Sequence, residues 1–154
     1  MDKLDQRLID IAKALNLRVV LSEDVAHGSY TPSISTIALN PNVTYNTLNA
    51  IFAHELIHAT GHPDYLKRPI ISTLVNIGCL YPTIETTLQR RNEEVIAEYG
   101  AMLLCDVFGI DYNKASMSKY ILSHLDSDEI SSETLHDAKK ATKFLIDLER
   151  KAVS

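Results

Sequence analysis

His54 and His58, with Glu55 between them, are the residues whose types and spacing fit hydrolytic chemistry. On a helix, positions four apart stack on one face. Two imidazole nitrogens can then meet one metal ion. Glu55 stands one residue round, beside that ion without having to bind it. A carboxylate there suits a general base for a metal-activated water. The plainer reading is two core histidines and a surface glutamate. The setting favours the metal, because Ala50, Ile51, Phe52, Ala53, Leu56, Ile57 and Ala59 make this an apolar helical stretch.

Two ligands are too few for a catalytic zinc, which usually takes three from the protein plus water. One candidate is a glutamate on a later helix, Glu94 or Glu98. The other is Asp64, since His54, Glu55, His58, Gly61 and Asp64 fit the extended metzincin spacing with Asp in the final place. Metzincins also need a methionine turn, for which Met117 is the available residue. Spacing alone leaves the three acids open.

Several elements must position these groups. Leu4, Leu8, Ile11 and Leu15 predict an amphipathic first helix that stops at Asn16. Residues 17–21 predict a strand, 22–32 a loop and 33–39 a second strand. An edge strand beside a metal helix can receive a peptide as an added strand, and 33–39 is the candidate. The metal helix is expected from 44–46 to Gly61, with Gly61 as its cap and Pro63 preventing continuation. An apolar, helical stretch follows over 70–80, and Tyr81-Pro82 breaks it.

A long helix is expected over 86–108, capped by Gly109. Val95, Ile96, Tyr99, Met102, Leu103, Leu104, Val107 and Phe108 cover most of its circumference, and a helix apolar nearly all round is buried. Yet Glu94 and Glu98 lie in it one turn apart, on the face of Ala101 and Cys105. A buried carboxylate needs a partner, which a metal ion or a metal-bound histidine supplies. Two further helices are expected. One is lined by Ala115, Ser118, Leu122 and Leu125. The other is lined by Leu135, Ala138, Ala141, Leu145 and Leu148, with Ser131 or Ser132 as its cap.

Composition narrows the function. A chain of 154 residues is enough for one domain, and 45% hydrophobic with 23% charged residues is ordinary for a globular protein. The net charge of −5 argues against nucleic-acid binding, which needs a basic footprint. Cys79 and Cys105 make no disulfide framework and are expected as buried free thiols. No signal peptide or transmembrane run is evident, so a reducing cytoplasm, such as that of a bacterial host, is the expected compartment. His27, His62, His124 and His136 have no expected role at the metal.

The stretch His54 to Arg68, followed by Arg91 to Ile110, resembles the zincin-like metallopeptidase domain of polyvalent proteins. That domain also forms the C-terminal part of ArdC-type antirestriction proteins. The matching residues are His54, Glu55, Leu56, His58, Thr60, Gly61, His62, Leu66 and Arg68, then Glu93, Glu94, Ala97, Glu98, Gly100, Leu104 and Cys105. Tyr120-Ile121, Ala138 and Ala141 echo the last two helices, so the resemblance spans roughly residues 30–150. Tyr65 and Val95 depart from the motif, where Arg and Leu are usual.

The resemblance implies an α+β fold over 1–154: a single zincin-like domain with a small N-terminal sheet packed on a mostly helical bundle. It favours Glu94 as the third ligand over Asp64, whose position varies in the family. Glu98 would hydrogen-bond a ligand histidine, or take the ligand place itself. The family's single-stranded-DNA-binding region has no counterpart in this chain. The expected function is a zinc-dependent peptidase with Glu55 as general base and a protein or peptide substrate. Its setting would be antirestriction or regulation in a phage or mobile element. Tyr120 is a possible stabiliser of the transition-state oxyanion, though packing is its commoner use. The rivals are a peptidase that cleaves phage repressors and a non-catalytic binder that blocks a host defence protein. Oligomeric state is left open.

Overall fold

The computed structural model describes residues 3–77, 83–125 and 129–152. Helix α1 (Gln6–Ala14) starts at Asp5, whose side chain accepts from the Arg7 amide, and ends before Asn16 in a left-handed turn. Strands β1 (Arg18–Leu21), β2 (Gly28–Thr31) and β3 (Thr36–Leu39) follow, with a 3₁₀ turn at Pro32–Ile34. Then come α2 (Leu48–Ala59), α3 (Pro69–Ile77), α4 (Ile84–Phe108), α5 (Lys114–Ser123) and α6 (Ser132–Ala152). The fold is α+β, as expected: a three-stranded sheet beside six helices among the described residues.

The sheet order is β1-β3-β2. β1 runs parallel to β3 with Val19 opposite Ile37, and β2 runs antiparallel to β3 with Tyr30 opposite Ile37. Two expectations change here. The stretch 22–32 is not all loop, since it contains β2. The strand expected within 33–39 is the central one, so the edge beside α2 belongs to β2. Gly28 permits that approach: a Cβ there would lie 2.7 Å from Ile51 Cγ2 and 3.3 Å from Glu55 Cγ.

α2 sits at the centre, against α4, α6, α1 and the sheet. Phe52, Leu56 and Ile57 are fully enclosed, with Leu8, Ile11, Ile37, Leu39, Leu104 and Leu145 around them. A helix apolar on nearly every side fits only such a place. Its N-cap is Thr47, whose hydroxyl accepts from the Ala50 amide. Its C-cap is Thr60, not Gly61. Gly61 has another use, because a Cβ there would meet Ile71 at 2.8 Å and the Arg68 guanidinium at 3.0 Å.

α4 is the long helix expected, two residues longer at its start, with a capping box at Thr83 and Thr86 and Gly109 in the left-handed region at its end. α6 packs through Ala138, Ala141 and Leu145, and the Ser131 hydroxyl accepts from the Thr134 amide at its start. α5 turns a different face inward than expected. Met117 and Ile121 are buried, whereas Ala115 and Leu122 are exposed. Cys105 is a buried free thiol, and Cys79 lies outside the described residues. The end of the 70–80 stretch and the break at Tyr81-Pro82 also lie outside them. No described helix is long and apolar enough to cross a membrane.

Candidate metal centre

α2 and α4 pack closely enough that a Cβ on Gly100 would stand 3.0 Å from Ile57 Cδ1. This contact brings the two histidines of α2 against three glutamates of α4. His54 Nδ1 lies 2.9 Å from Glu98 Oε1, and His58 Nδ1 lies 2.8 Å from Glu93 Oε2. An ionised carboxylate only accepts, so each Nδ1 carries a proton and each Nε2 is the nitrogen left to face a cation.

Those two Nε2 atoms are 3.0 Å apart. Glu94 faces both, with Oε2 at 3.2 Å from His54 Nε2 and Oε1 at 3.2 Å from His58 Nε2. Lone pairs at such distances need a proton or a metal ion between them. Zinc–nitrogen bonds of about 2.0–2.1 Å put the donors of a tetrahedron about 3.3 Å apart, close to this spacing. His54, His58 and Glu94 thus form a donor set that fits a divalent cation. Among protein groups alone, the carboxylates govern both imidazoles. Burial lowers the His54 pKa, but Glu94 and Glu98 outweigh it and push it up to about 9. Burial likewise opposes the charge on His58, and Glu94 and Glu93 raise it well above the usual range.

Glu55 is buried at 6% exposure, and its Oε2 has no hydrogen-bond partner among the described residues. It faces a cavity of about 250 Å³, which Gly28, Ser29 and Tyr30 of β2 also line. Burial raises its pKa, and the neighbouring imidazoles pull the other way without reversing the shift. Tyr120 of α5 donates its hydroxyl to Glu94 Oε2 at 2.7 Å, and its ring stands edge-on to His54. Burial and then the charge of Glu94 raise the phenol pKa, so it stays protonated and able to donate.

Asp64 is not in this cluster. Its side chain is 78% exposed, with Oδ2 at 3.6 Å from His62 Nδ1. His62 Nδ1 accepts from the Asp64 amide in the loop after α2.

Glu93 and Arg68 extend the site beyond the expected residues. Arg68 Nε and Nη2 donate to Glu93 Oε1 and Oε2 at 2.6 and 3.0 Å. The same guanidinium donates to Thr60 Oγ1 at 2.8 Å and to the Ile57 carbonyl at 2.7 Å. Burial pushes the Glu93 pKa up, but Arg68 and His58 hold it below the usual carboxylate range. The available signal was that Arg68 and Glu93 are charged residues matching a motif otherwise filled by ligands and core positions. Nothing in their spacing pairs them.

No protein-family model matches the chain. It is 24% identical over 165 residues to the DNA primase TraC of Escherichia coli, an alignment covering 99% of this chain and 14% of that protein. Two crystal structures of the antirestriction protein ArdC from the R388 plasmid share its fold. The metal-free one has a TM-score of 0.62 at 24% identity, covering 96% of this chain. The Mn(II)-bound one has a TM-score of 0.61 at 22% identity, covering 94%. The chain spans about half of ArdC, at 52% of that chain in each case. The fold expected from the ArdC-type resemblance is therefore observed.

Proposed function

We propose that this protein is a metal-dependent peptidase of antirestriction type, with His54, His58 and Glu94 holding the metal and Glu55 as general base. The observation that carries it is the convergence of two imidazole Nε2 atoms and the Glu94 carboxylate within 3.2 Å, beside an unpartnered Glu55 oxygen at a cavity. A divalent cation in this donor set supplies Lewis acidity, lowering the pKa of water and polarising a carbonyl. Glu55 takes a proton from the attacking water and later delivers it to the leaving amine. Tyr120 donates its hydroxyl to negative charge growing on the carbonyl oxygen. Glu98 and Glu93 hold the two rings by Nδ1, which fixes tautomer and orientation.

Two nitrogens and one carboxylate favour zinc. The Mn(II)-bound ArdC structure makes manganese the cation to compare. The same likeness supports an antirestriction setting with a host or element protein as target.

The deciding experiment is Glu55→Gln, assayed for metal content, peptide hydrolysis and protection of DNA from restriction in cells. Retained metal with both activities lost is the expected result. Retained metal with undiminished protection would replace catalysis by stoichiometric blocking of a host protein. Loss of cleavage of a phage repressor, without effect on restriction, would favour the regulatory peptidase.

A further inference from the structure

Two cavities meet at the metal cluster, and Arg90 and Glu94 are the residues they share. These two are one helical turn apart on α4, so they stand on one face. The two cavities therefore adjoin at this pair, as two arms on either side of it. The first arm, of about 250 Å³, runs between the edge strand β2 and α3, with Ile70, Ile71 and Leu74 on its wall. The second, of about 650 Å³, opens between α4 and α5 and is lined by Thr86, Thr87, Arg90, Arg91, Tyr120 and His124 besides Glu94.

The arms differ in chemistry. The β2 arm offers apolar side chains from α3 and the edge of a strand. The α5 arm carries the Arg90 and Arg91 side chains and several hydroxyls, and among the described residues its lining has one acid, Glu94, which faces the candidate metal position. This cationic lining stands in a chain of net charge −5, so composition does not explain it. Arg90 is exposed, and no hydrogen bond or ion pair engages it among the described residues. An arginine next to a reaction centre, with its fork uncommitted, is suited to a carboxylate.

We propose that the cleft selects a peptide with an apolar side chain on the β2 side of the scissile bond and an Asp or Glu side chain on the α5 side, with Arg90 reading that carboxylate. This rests on the peptidase reading of the same site and adds the substrate class. The apolar residue lies along β2, and the acidic one crosses α4 to the guanidinium.

The test uses the metal-loaded protein and eight-residue peptides with a fixed central Leu followed by Glu, Gln or Lys. Cleavage is followed with the wild-type chain, and binding by fluorescence anisotropy with Glu55→Gln. The Glu peptide is expected to exceed the Lys peptide by at least about tenfold in both measurements, and Arg90→Glu should reverse the order. Arg90→Gln, a milder change, should level the three peptides while metal content stays the same. Cleavage indifferent to the varied residue overturns the acidic subsite and leaves the peptidase reading standing. Selective binding of the Glu peptide without cleavage does the opposite. Neither binding nor cleavage overturns both. Displacement of bound peptide by a single-stranded oligonucleotide at lower concentration than by the Glu peptide would assign the cationic arm to phosphates, against the proposal.

Discussion

Arg68 grips Glu93 by two charge-assisted bonds, at 2.6 and 3.0 Å, and Glu93 in turn orients the His58 ring through Nδ1 at 2.8 Å. All three side chains are buried. The guanidinium also ties down the Ile57 carbonyl and the Thr60 hydroxyl at the end of α2. Removing it strands a buried carboxylate and frees the end of the metal helix together. Arg68→Met should destabilise the fold by about 3–5 kcal/mol. It should weaken metal binding by about 10- to 100-fold. Urea unfolding and competition with a chelator measure the two. Glu93→Gln in the Arg68→Met background should restore part of the stability, because the stranded charge is gone. An additive double variant would show that the pair is not coupled.

The ligand set is decided by metal stoichiometry. His54→Ala, His58→Ala and Glu94→Ala should each lose bound metal after dialysis, whereas Asp64→Ala should keep it. Glu98→Ala should keep the metal with about 10- to 100-fold weaker affinity, since Glu98 acts through His54. Metal lost from Asp64→Ala alone would sink the assignment of Glu94.

Tyr120→Phe removes the hydroxyl bonded to Glu94 and leaves the ring against His54. If that hydroxyl serves the transition state, kcat should fall by about 10²-fold with metal content and folding unchanged. A rate within a factor of two of the wild type would return Tyr120 to packing.

Acid titration isolates one local contact at the start of α1. The Asp5 carboxyl lies below its ordinary value of 3.8, chiefly through the side-chain hydrogen bond from Arg7. A depressed carboxyl stabilises the fold above its unfolded pKa, and that stability is lost as pH falls through the folded one. Asp5→Asn keeps the capping oxygen but not the ionisation. The stability difference between wild type and Asp5→Asn should be constant above about pH 5 and shrink toward zero on acidification, with a size of no more than about 1 kcal/mol. Urea unfolding at a series of pH values measures it, and a difference that grows as pH falls would refute the coupling.

The parts of the protein that were legible in the sequence are those with a period. Helix α4 announced itself by apolar residues on nearly every side, and Glu94 and Glu98 stood out because they interrupt them. β2 was hidden because its four residues, Gly28-Ser29-Tyr30-Thr31, carry turn-forming types and owe their pairing to Ile37 and its neighbours on β3. On α5, Ala115 and Leu122 fitted a helical stripe as well as Met117 and Ile121 do. Contact with α4 and the common core selects the second pair. Arg68 and Glu93 are joined across 25 positions, and local pattern has no means of matching two charges at that range.

The three glutamates that meet the α2 histidines, Glu93, Glu94 and Glu98, all stand on α4. The centre is thus assembled across a single helix–helix seam, with one spacing as its common variable. Parting that seam by an ångström would break every link together, and closing it would restore them together. Metal occupancy is then expected to gauge how tightly the two helices are closed. A ligand that wedges them apart at the surface would empty the site without touching it.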